Sequence, residues 1–441
     1  MKSCGRARSG RLEFLFLAPE QLARRETLRQ LARARPSLFV VDEAHCVAEW
    51  GHDFRPEYLQ LGKAIQALDR PRLLALTATA AAPVREEIIS RLGMRDPKVI
   101  IQGFDRPNLD LAVEQLSSDN QKDERLLELM EELERPGIVY VATRAHADEV
   151  AQLLRERGFL ASAYHAGHPK ETREEVQRAF MDDELPVIVA TTAFGMGVDK
   201  PRVAFVVHYD VPGSLDSYYQ QIGRAGRDGT PARAILLYHP PDLGLQRFLV
   251  GGAAVDVAAH ERIATLLAQL AEPVDQHELK SQAGYSASRL QTIINHLQEV
   301  RAINVRKDGK VRYRKRGPAP EEAAQEAQRL QEARKEFERS RAHMMGAYAT
   351  GDGCRRERLL AYFGEEYEAP CGKCDRCRAG RGVTDTGEQP FAVGSRVAHE
   401  SLGDGQVVRY EEGKVVILFD EIGYQELDLE TVAQRNLLQQ A

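Results

Sequence analysis

The chain has 441 residues, of which 43% are hydrophobic and 29% are charged, and its formal net charge is −6. This length predicts about three domains. The mildly negative charge excludes a uniformly basic protein, so any nucleic-acid binding must come from local basic surfaces. Because no long apolar run and no secretory signal occur, a cytoplasmic protein without membrane contact is expected.

The first informative segment is an acidic box at 42–46, which follows the apolar run 38–41. The run predicts a buried strand, and open α/β sheets bind their ligands at the carboxyl ends of such strands. Asp42 can hold Mg²⁺ there through water, and Glu43 can orient the water that attacks a phosphoryl group. An Asp-Glu turn on the surface is the alternative.

An aromatic loop follows the acidic box. Trp50, His52 and Phe54 place three rings, and Arg55 adds a guanidinium, within six residues. Nucleic-acid bases stack on such groups with about 1–3 kcal/mol each, regardless of base sequence. A core anchor made by the two large rings is the alternative, but the polar residues between them favour an exposed loop that binds DNA.

Residues 105–245 alternate between apolar strand patterns and helix patterns, which predicts a parallel sheet with crossover helices. The predicted strands are 137–143, 161–167, 187–192 and 203–210, and the predicted helices are 145–157, 170–181 and 214–225. Hydroxyl groups and bare backbone at strand ends can hold a sugar-phosphate chain. The candidates for such DNA contacts are Thr143, Arg144, Thr191, Thr192 and Gly195.

The string QQIGRAGRDG at 220–229 contains a second candidate site. Gln220, Arg224 and Arg227 have the spacing of one helix face. The glycines between them have no side chain, so a backbone or a phosphate can approach that face closely. Two guanidiniums there can neutralise charge that builds on a γ-phosphoryl group. A solvated arginine helix is the alternative.

Residues 258–316 have the pattern of a winged helix-turn-helix. The predicted helices are 258–270, 275–283 and 287–300, followed by two short strands around Asp308-Gly309. From Arg301 to Arg316 there are eight basic residues and one acidic residue, which suggests contact with phosphates. The candidate DNA-binding residues are Arg312, Arg314 and Lys315. A packing or dimer surface is the alternative.

The next segments predict a metal module and a small β domain. A long helix is expected within 318–347, and the domain 318–378 then carries the spacing C-x16-C-x2-C-x2-C. Four thiolates close a tetrahedral structural Zn²⁺ site, whereas four unrelated thiols are the alternative. After a linker at 379–390, glycine-punctuated strands predict a small closed barrel at 391–441. The zinc ligands would be Cys354, Cys371, Cys374 and Cys377.

These segments together resemble a RecQ-family DNA helicase of superfamily two, through most of 11–245 and again through 340–378. The strings that carry the resemblance are FLFLAPEQL (14–22) for the strand and turn before the acidic box, WGHDFRP (50–56) as the most diagnostic loop, LTATA (76–80) for coupling and VIVATTAFGMGVDKP (187–201) for nucleic-acid contact.

The resemblance implies an α/β fold with two RecA-like motor domains, 1–104 and 105–245. It implies an ATP-dependent helicase that uses ATP, Mg²⁺ and Zn²⁺, moves 3′ to 5′ on single-stranded DNA, opens duplex DNA and acts in recombination and repair. His45 with Thr77, Ala78 and Thr79 would couple hydrolysis to movement, and the glutamine and two arginines of 220–227 would complete the ATP site. An RNA helicase is disfavoured by the aromatic loop and the cysteine module.

The chain also departs from the family pattern. No G-x-x-x-x-G-K-[ST] string occurs in it, and the family places this phosphate-cradling loop ahead of the residues that open this chain. We therefore expect an incomplete first motor domain with uncovered apolar sheet surfaces and little ATP hydrolysis. A nucleic-acid-binding or scaffolding protein that does not use ATP is the alternative function.

Two further departures concern the carboxyl-terminal half. The winged helix precedes the zinc module, whereas the family usually has it afterwards. VAHESLGDGQVV (397–408) is similar to the Tudor-like tail of UvrD and PcrA helicases. This second resemblance implies a protein partner for the barrel, RNA polymerase or a repair factor, with nucleic acid as the alternative.

Overall fold

The structure is a computed structural model in which the chain forms two compact units. One unit comprises Met1–Ile100 and Gly251–Lys335, and the other comprises Ile101–Val250 and Glu336–Ala441. The aromatic loop with Trp50, His52, Phe54 and Arg55 and the wing residue Asp308 lie outside the described residues. The structure describes 13–22, 24–48, 56–79, 82–195, 198–251, 255–270, 272–306, 309–383, 389–411 and 413–440.

In the amino-terminal part, two parallel strands form the sheet. Strand β1 is Leu38–Val41 and strand β2 is Arg72–Ala75, with Val41 opposite Ala75. Apolar side chains of the surrounding helices pack against one face of this sheet and form a common core. The helices here are Pro19–Leu22, Arg25–Ala34, Leu61–Ala67 and Ala82–Leu92, with 3-10 helices at Ala44–Val47 and Pro56–Gln60.

The expected strand within 14–22 is not formed. Leu15 and Leu17 pack against the core, while Phe14 and Phe16 are 75% and 93% exposed, so the segment keeps the alternation of a strand. No ladder forms because no described strand lies alongside it. Four apolar side chains in or directly after the two strands are between 42 and 50% exposed: Leu38, Val40, Leu74 and Leu76.

The chain from Leu109 to Tyr238 contains a six-stranded parallel sheet in the order β3-β8-β7-β4-β6-β5. Its three central strands are buried at every position, as expected for a parallel sheet with helices on both faces. The strands are β3 Leu109–Gln115, β4 Gly137–Tyr140, β5 Ala161–Tyr164, β6 Val187–Ala190, β7 Phe205–His208 and β8 Ala232–Tyr238. The helices are Asp119–Glu132, Arg144–Glu156, Lys170–Met181, Leu215–Ile222 and Pro241–Gly251.

The predicted winged helix-turn-helix is present. Its helices are Val257–Gln269, Gln276–Ala283 and Ala287–Glu299, and β9 Ile303–Val305 pairs antiparallel with β10 Val311–Tyr313. Gly284 ends the second helix at φ 73°, a left-handed conformation that glycine adopts without strain, and the Ser286 hydroxyl caps the third helix. The three helices and both strands share one apolar core.

A single helix, Pro320–Thr350, begins in the first unit and ends in the second. Two short helices, Arg355–Tyr362 and Asp375–Arg378, carry the cysteine module that follows. No helix in the described part of the chain is both long and apolar enough to cross a membrane.

The carboxyl-terminal domain is a five-stranded antiparallel sheet in the order β14-β13-β12-β11-β15. The expected small carboxyl-terminal β domain is present, and among the described residues β14 and β15 are its edge strands. The helix Leu429–Arg435 lies between them in the chain and its Val432 joins the core. The strands are β11 Arg396–His399, β12 Gly403–Glu411, β13 Lys414–Phe419, β14 Gly423–Asp428 and β15 Leu438–Gln440.

Candidate functional site

The acidic box stands where β1 ends. Glu43 has a left-handed backbone at φ 49°, and its N–H donates to Asp42 Oδ1 over 3.0 Å. The next N–H, of Ala44, donates to Leu76 O over 2.8 Å and ties the box to the end of β2. The Asp42 side chain is exposed and that of Glu43 is half-buried, so both carboxylates can reach a Mg²⁺ ion and its waters.

A hydrogen-bond chain joins this box to the predicted coupling segment. The Thr77 hydroxyl donates to Thr79 O over 2.9 Å and accepts the Thr79 N–H over 3.2 Å. His45 Nδ1 lies 2.9 Å from the same hydroxyl oxygen and 3.4 Å from Glu43 Oε2. Because the threonine proton is already directed at Thr79 O, His45 Nδ1 has to carry the donated hydrogen.

Burial makes this chain rigid. His45 and Thr79 are 2% and 1% exposed, so water has little access to the His45 imidazole or to the Thr79 backbone groups that bond the Thr77 hydroxyl. The structure thus brings together Glu43, His45, Thr77 and Thr79, as the sequence predicts, while Ala78 contributes the backbone between the two threonines. Two polar contacts of His45 Nδ1 therefore link Glu43 to the 77–79 segment.

The predicted single helix face for Gln220, Arg224 and Arg227 is wrong. The helix ends at Ile222, and Gly226 has φ 56°, so both arginines lie in the turns that follow. Glycine permits this left-handed position, which a continuing helix would exclude. Only Gln220 stays on the helix, half-buried in its last turn.

The two arginines instead contact Gly195, Val198 and Asp199. Arg224 Nη1 donates to Gly195 O over 2.6 Å, and Arg227 Nη1 donates to Val198 O over 2.9 Å and to Asp199 Oδ1 over 2.8 Å. A Cβ atom on Gly195 would lie 2.4 Å from Arg224 Nη2. Glycine is therefore required at 195 for the close approach of this guanidinium.

Of the other residues predicted at strand ends, some are bonded within the protein and some are accessible. The Thr143 hydroxyl caps the helix Arg144–Glu156 by accepting the His146 N–H over 3.1 Å. Thr191 Oγ1 accepts the Ala193 N–H at 3.4 Å. Arg144 and Thr192 are exposed or half-buried, so their side chains remain accessible to a sugar-phosphate chain.

A buried charge network at the carboxyl ends of β4 and β7 escaped the sequence reasoning. Lys122 Nζ lies 3.2 Å from Asp210 Oδ1 and 3.0 Å from Asp242 Oδ2, and His146 Nδ1 lies 2.7 Å from Asp210 Oδ2. Burial opposes ionisation of Asp210, but His146 and Lys122 outweigh it and lower the pKa of this carboxyl. The Asp210 hydrogen bond raises the pKa of His146. The polar residues directly after the apolar strand 203–208 were the available signal.

A cavity of about 220 Å³ opens beside this network, and Asp210, Thr192 and Gln221 line it. His208 also lines it, and its Nε2 lies 2.6 Å from Gln221 Oε1. Burial lowers the pKa of His208 to about 4, so this imidazole is neutral at pH 7. The cavity combines one carboxylate with neutral polar groups.

The predicted DNA-binding residues of the wing are accessible. Arg314 and Lys315 are exposed, and Arg312 is half-buried. None of the three forms an ion pair with a carboxylate in the described part of the chain.

The four predicted zinc ligands converge. One Sγ atom from each of Cys354, Cys371, Cys374 and Cys377 lies within 4.8 Å of all the others. The N–H groups of Cys374 and Cys377 point at Cys371 Sγ and Cys374 Sγ, each over 3.4 Å. Hydrogen bonding by Cys354 lowers the pKa of Cys374 to about 4, although burial opposes this. Four thiol groups gathered within this distance fit a closed tetrahedral Zn²⁺ site. Cys46, beside the acidic box, is buried.

Three family models match the chain. Residues 4–88 match the DEAD/DEAH box helicase model, residues 121–229 match the helicase conserved C-terminal domain, and residues 320–378 match the RecQ zinc-binding model. These matches contain the acidic box, the arginines of the 220–229 segment and the four cysteines, respectively.

Curated relatives agree with the family models. The chain is 35% identical to the probable ATP-dependent DNA helicase RecS of Bacillus subtilis over 83% of this chain and 71% of the relative. It is 31% identical to the ATP-dependent DNA helicase RecQ of Synechocystis over 84% and 77%. It is 34% identical to RecQ of Pasteurella multocida over 84% of this chain, but spans only 46% of that relative. With the four-cysteine cluster and the acidic box bonded to the Thr77 segment, these relatives show that the chain belongs to the RecQ family of ATP-dependent DNA helicases.

Proposed function

We propose that this protein couples ATP hydrolysis to 3′-to-5′ movement on single-stranded DNA and opens duplexes in recombination and repair. The observation that carries the proposal is the position of His45 Nδ1, which lies 2.9 Å from the Thr77 hydroxyl and 3.4 Å from Glu43 Oε2. Through these two contacts, a change at the ATP phosphates when ATP is hydrolysed can reach the 77–79 segment. Asp42 holds Mg²⁺, Glu43 orients the attacking water, and Arg224 and Arg227 stabilise charge on the transferred phosphoryl group.

The coupling role is tested by Thr77→Val in a version of the protein that hydrolyses ATP. Valine keeps the shape but removes the hydroxyl that receives the His45 hydrogen bond. We expect DNA-stimulated ATP hydrolysis to stay within about threefold while unwinding falls at least about tenfold, a loss of about 1.4 kcal/mol of coupling. Duplexes with only a 3′ or only a 5′ overhang test the polarity. Equal losses of hydrolysis and unwinding would contradict the coupling role.

A second candidate function has its own support. The 441 residues contain no G-x-x-x-x-G-K-[ST] string, and this loop supplies backbone N–H groups and a lysine to the phosphates. We infer that the chain as given hydrolyses little ATP, and that it binds nucleic acid without hydrolysing ATP. DNA-stimulated hydrolysis by residues 1–441, measured beside a RecQ helicase that contains this loop, separates the two functions. Equal rates for both proteins would remove the second candidate.

The winged helix-turn-helix is proposed to bind duplex DNA through the wing. Substituting Arg312, Arg314 and Lys315 together with Gln should weaken duplex binding and flatten its salt dependence, since each lost phosphate contact removes about one released counterion. Unchanged affinity would refute this role.

The carboxyl-terminal sheet domain is proposed to bind a protein, RNA polymerase or a repair factor, with nucleic acid as the alternative. The support is the similarity of 397–408 to a Tudor-like tail. Binding of purified RNA polymerase to the full chain, compared with the chain lacking 391–441, tests the proposal. Equal binding by the two proteins would refute it.

A further inference from the structure

The wing has a basic cavity of about 420 Å³ that is open to solvent. Tyr313 and Pro318 form its apolar part, and the Tyr313 hydroxyl donates to Pro318 O over 3.0 Å, which fixes this wall. We call this surface the wing cavity. Its polar lining consists of Arg301, Asn304, Arg312, Arg314, Lys315 and Arg316.

The strand register places these side chains together. Arg312 lies directly opposite Asn304, and Tyr313 lies opposite Ile303. Ile303 and Val311 are buried in the core of the domain, so the alternation of strand side chains turns Asn304 and Arg312 outward. Arg301 and the residues after β10 lie at the same open end of the hairpin, where Arg314 Nη1 donates to Arg301 O over 3.3 Å.

No carboxylate among the described residues compensates the charge of the wing cavity. The described lining contains five cations and no carboxylate. None of the five has an ion pair within the residues that the structure describes, whereas Arg289 and Arg334 of the same domain pair with Asp256 and Glu299. Like charges gathered on one concave surface repel each other, and an anion bound between them removes that repulsion.

We propose that the wing cavity binds one phosphate group of a DNA strand, and that Arg301 and Arg316 belong to this site in addition to the three wing residues named above. The proposal rests on the proposed DNA-binding function. Phosphate oxygens only accept hydrogen bonds and guanidinium groups only donate them, so the chemistry of the cavity and of the phosphate are complementary. The phosphate is either internal to a strand or at its 5′ end.

The test uses the full 441-residue chain and two double variants. Arg301→Gln with Arg316→Gln removes two charges from the wing cavity. Arg329→Gln with Arg339→Gln removes two charges from the long helix, where each arginine is paired with a glutamate. None of the four side chains is buried, so both variants are expected to fold, which circular dichroism checks. Affinity is measured by fluorescence anisotropy on blunt duplexes with 5′-hydroxyl or 5′-phosphate ends, over a series of salt concentrations.

We expect the cavity variant to bind about tenfold more weakly and to lower the salt slope by about one to two, while the control stays within about twofold of wild type. If wild type prefers the 5′-phosphate duplex and the cavity variant loses that preference, the site holds a terminal phosphate. If both duplexes bind alike and both weaken, it holds an internal phosphate.

A cavity variant that binds both duplexes as tightly as wild type, with an unchanged salt slope, would overturn the phosphate site. In that outcome wild-type binding to DNA still supports the proposed function. Failure of the wild-type chain to bind either duplex would overturn both.

Discussion

Gly195 shows how a single residue without a side chain positions a charged group. The Arg224 guanidinium is 9% exposed and occupies the space that a Cβ atom at 195 would need. A buried guanidinium that keeps its carbonyl partner is stable, but one forced out of place loses that hydrogen bond.

We therefore expect Gly195→Ala to lower the unfolding free energy by about 1–3 kcal/mol, the usual cost of forcing a well-packed site apart. Denaturant titration measures this change. Gly244→Ala is the matched control, because a Cβ atom there meets nothing within 4 Å, and we expect it to be neutral or slightly stabilising. Equal effects of the two substitutions would contradict the packing argument.

At the scale of elements, two histidines join the first and third helices of the winged helix-turn-helix. His260 Nδ1 lies 3.0 Å from Asp256 O, and His260 Nε2 lies 2.9 Å from His296 Nδ1. The carbonyl can only accept, so His260 donates from Nδ1 and accepts at Nε2 from His296. A proton added at His260 Nε2 would place two donors face to face.

This arrangement predicts acid sensitivity of the domain. Burial, with the nearby His260, Arg334 and Lys335, lowers the pKa of His296 from 6.5 to about 4, and burial lowers the pKa of His260. As the pH falls below 6.5 the unfolded chain takes up protons first, so stability is lost progressively towards pH 4.

The pH dependence of denaturant unfolding, followed by circular dichroism, measures this loss. His296→Gln keeps a donor but does not titrate, so it should flatten the dependence. His277→Gln, at a position of the same domain that is not buried, should leave it unchanged. A His296→Gln variant as acid-sensitive as wild type would contradict the prediction.

The carboxyl-terminal sheet domain is fixed to its neighbours despite the linker that precedes it. The Tyr424 N–H donates to Ser340 Oγ over 3.0 Å, and the Tyr424 ring stacks on Tyr362 at 5.3 Å between centroids. The Tyr362 hydroxyl donates to Asp216 Oδ2 over 2.5 Å. One edge strand of the sheet is thereby connected to the zinc module and to the parallel sheet domain.

We expect Tyr424→Ala to destabilise this attachment by about 3–5 kcal/mol, the usual cost of deleting a buried aromatic side chain. Amide hydrogen exchange should rise in 391–440 and in the helix Arg355–Tyr362 together. Val393→Ala, at an exposed position of the same domain, is the control. Increased exchange confined to 391–440 would contradict the attachment.

At the scale of the whole molecule, the zinc module stabilises the unit that contains the parallel sheet. Arg356 Nη2 donates to Leu109 O over 2.7 Å, Lys373 Nζ donates to Pro107 O over 2.8 Å, and Arg378 pairs with Asp110 over 2.6 Å. These contacts lie at the edge strand β3 and at the residues directly before it. Loss of the metal therefore affects the sheet as well as the module.

We expect one Zn²⁺ per chain by elemental analysis, and loss of this ion in Cys374→Ser. Chelation should lower the thermal midpoint of the whole unit, since metal binding and folding are linked. Cys46→Ala should keep the metal. A thermal midpoint that does not respond to chelation would contradict the structural role.

The amino-acid sequence by itself determined the parallel sheet of 105–245, the winged helix-turn-helix and the zinc ligands. Apolar periodicity, glycine turns and cysteine spacing are local signals, and local geometry is sufficient to interpret them. The acidic box was identified for the same reason, because it directly follows an apolar strand.

Only the tertiary structure decided where long-range partners meet. Lys122 and Asp210 are 88 residues apart in the chain, and Arg224 and Gly195 are 29 apart, so no periodicity could pair them. The end of the helix at Ile222 was also missed. Packing decides such features, because a helix stops when neighbouring side chains satisfy the backbone and core better than continued regular structure would.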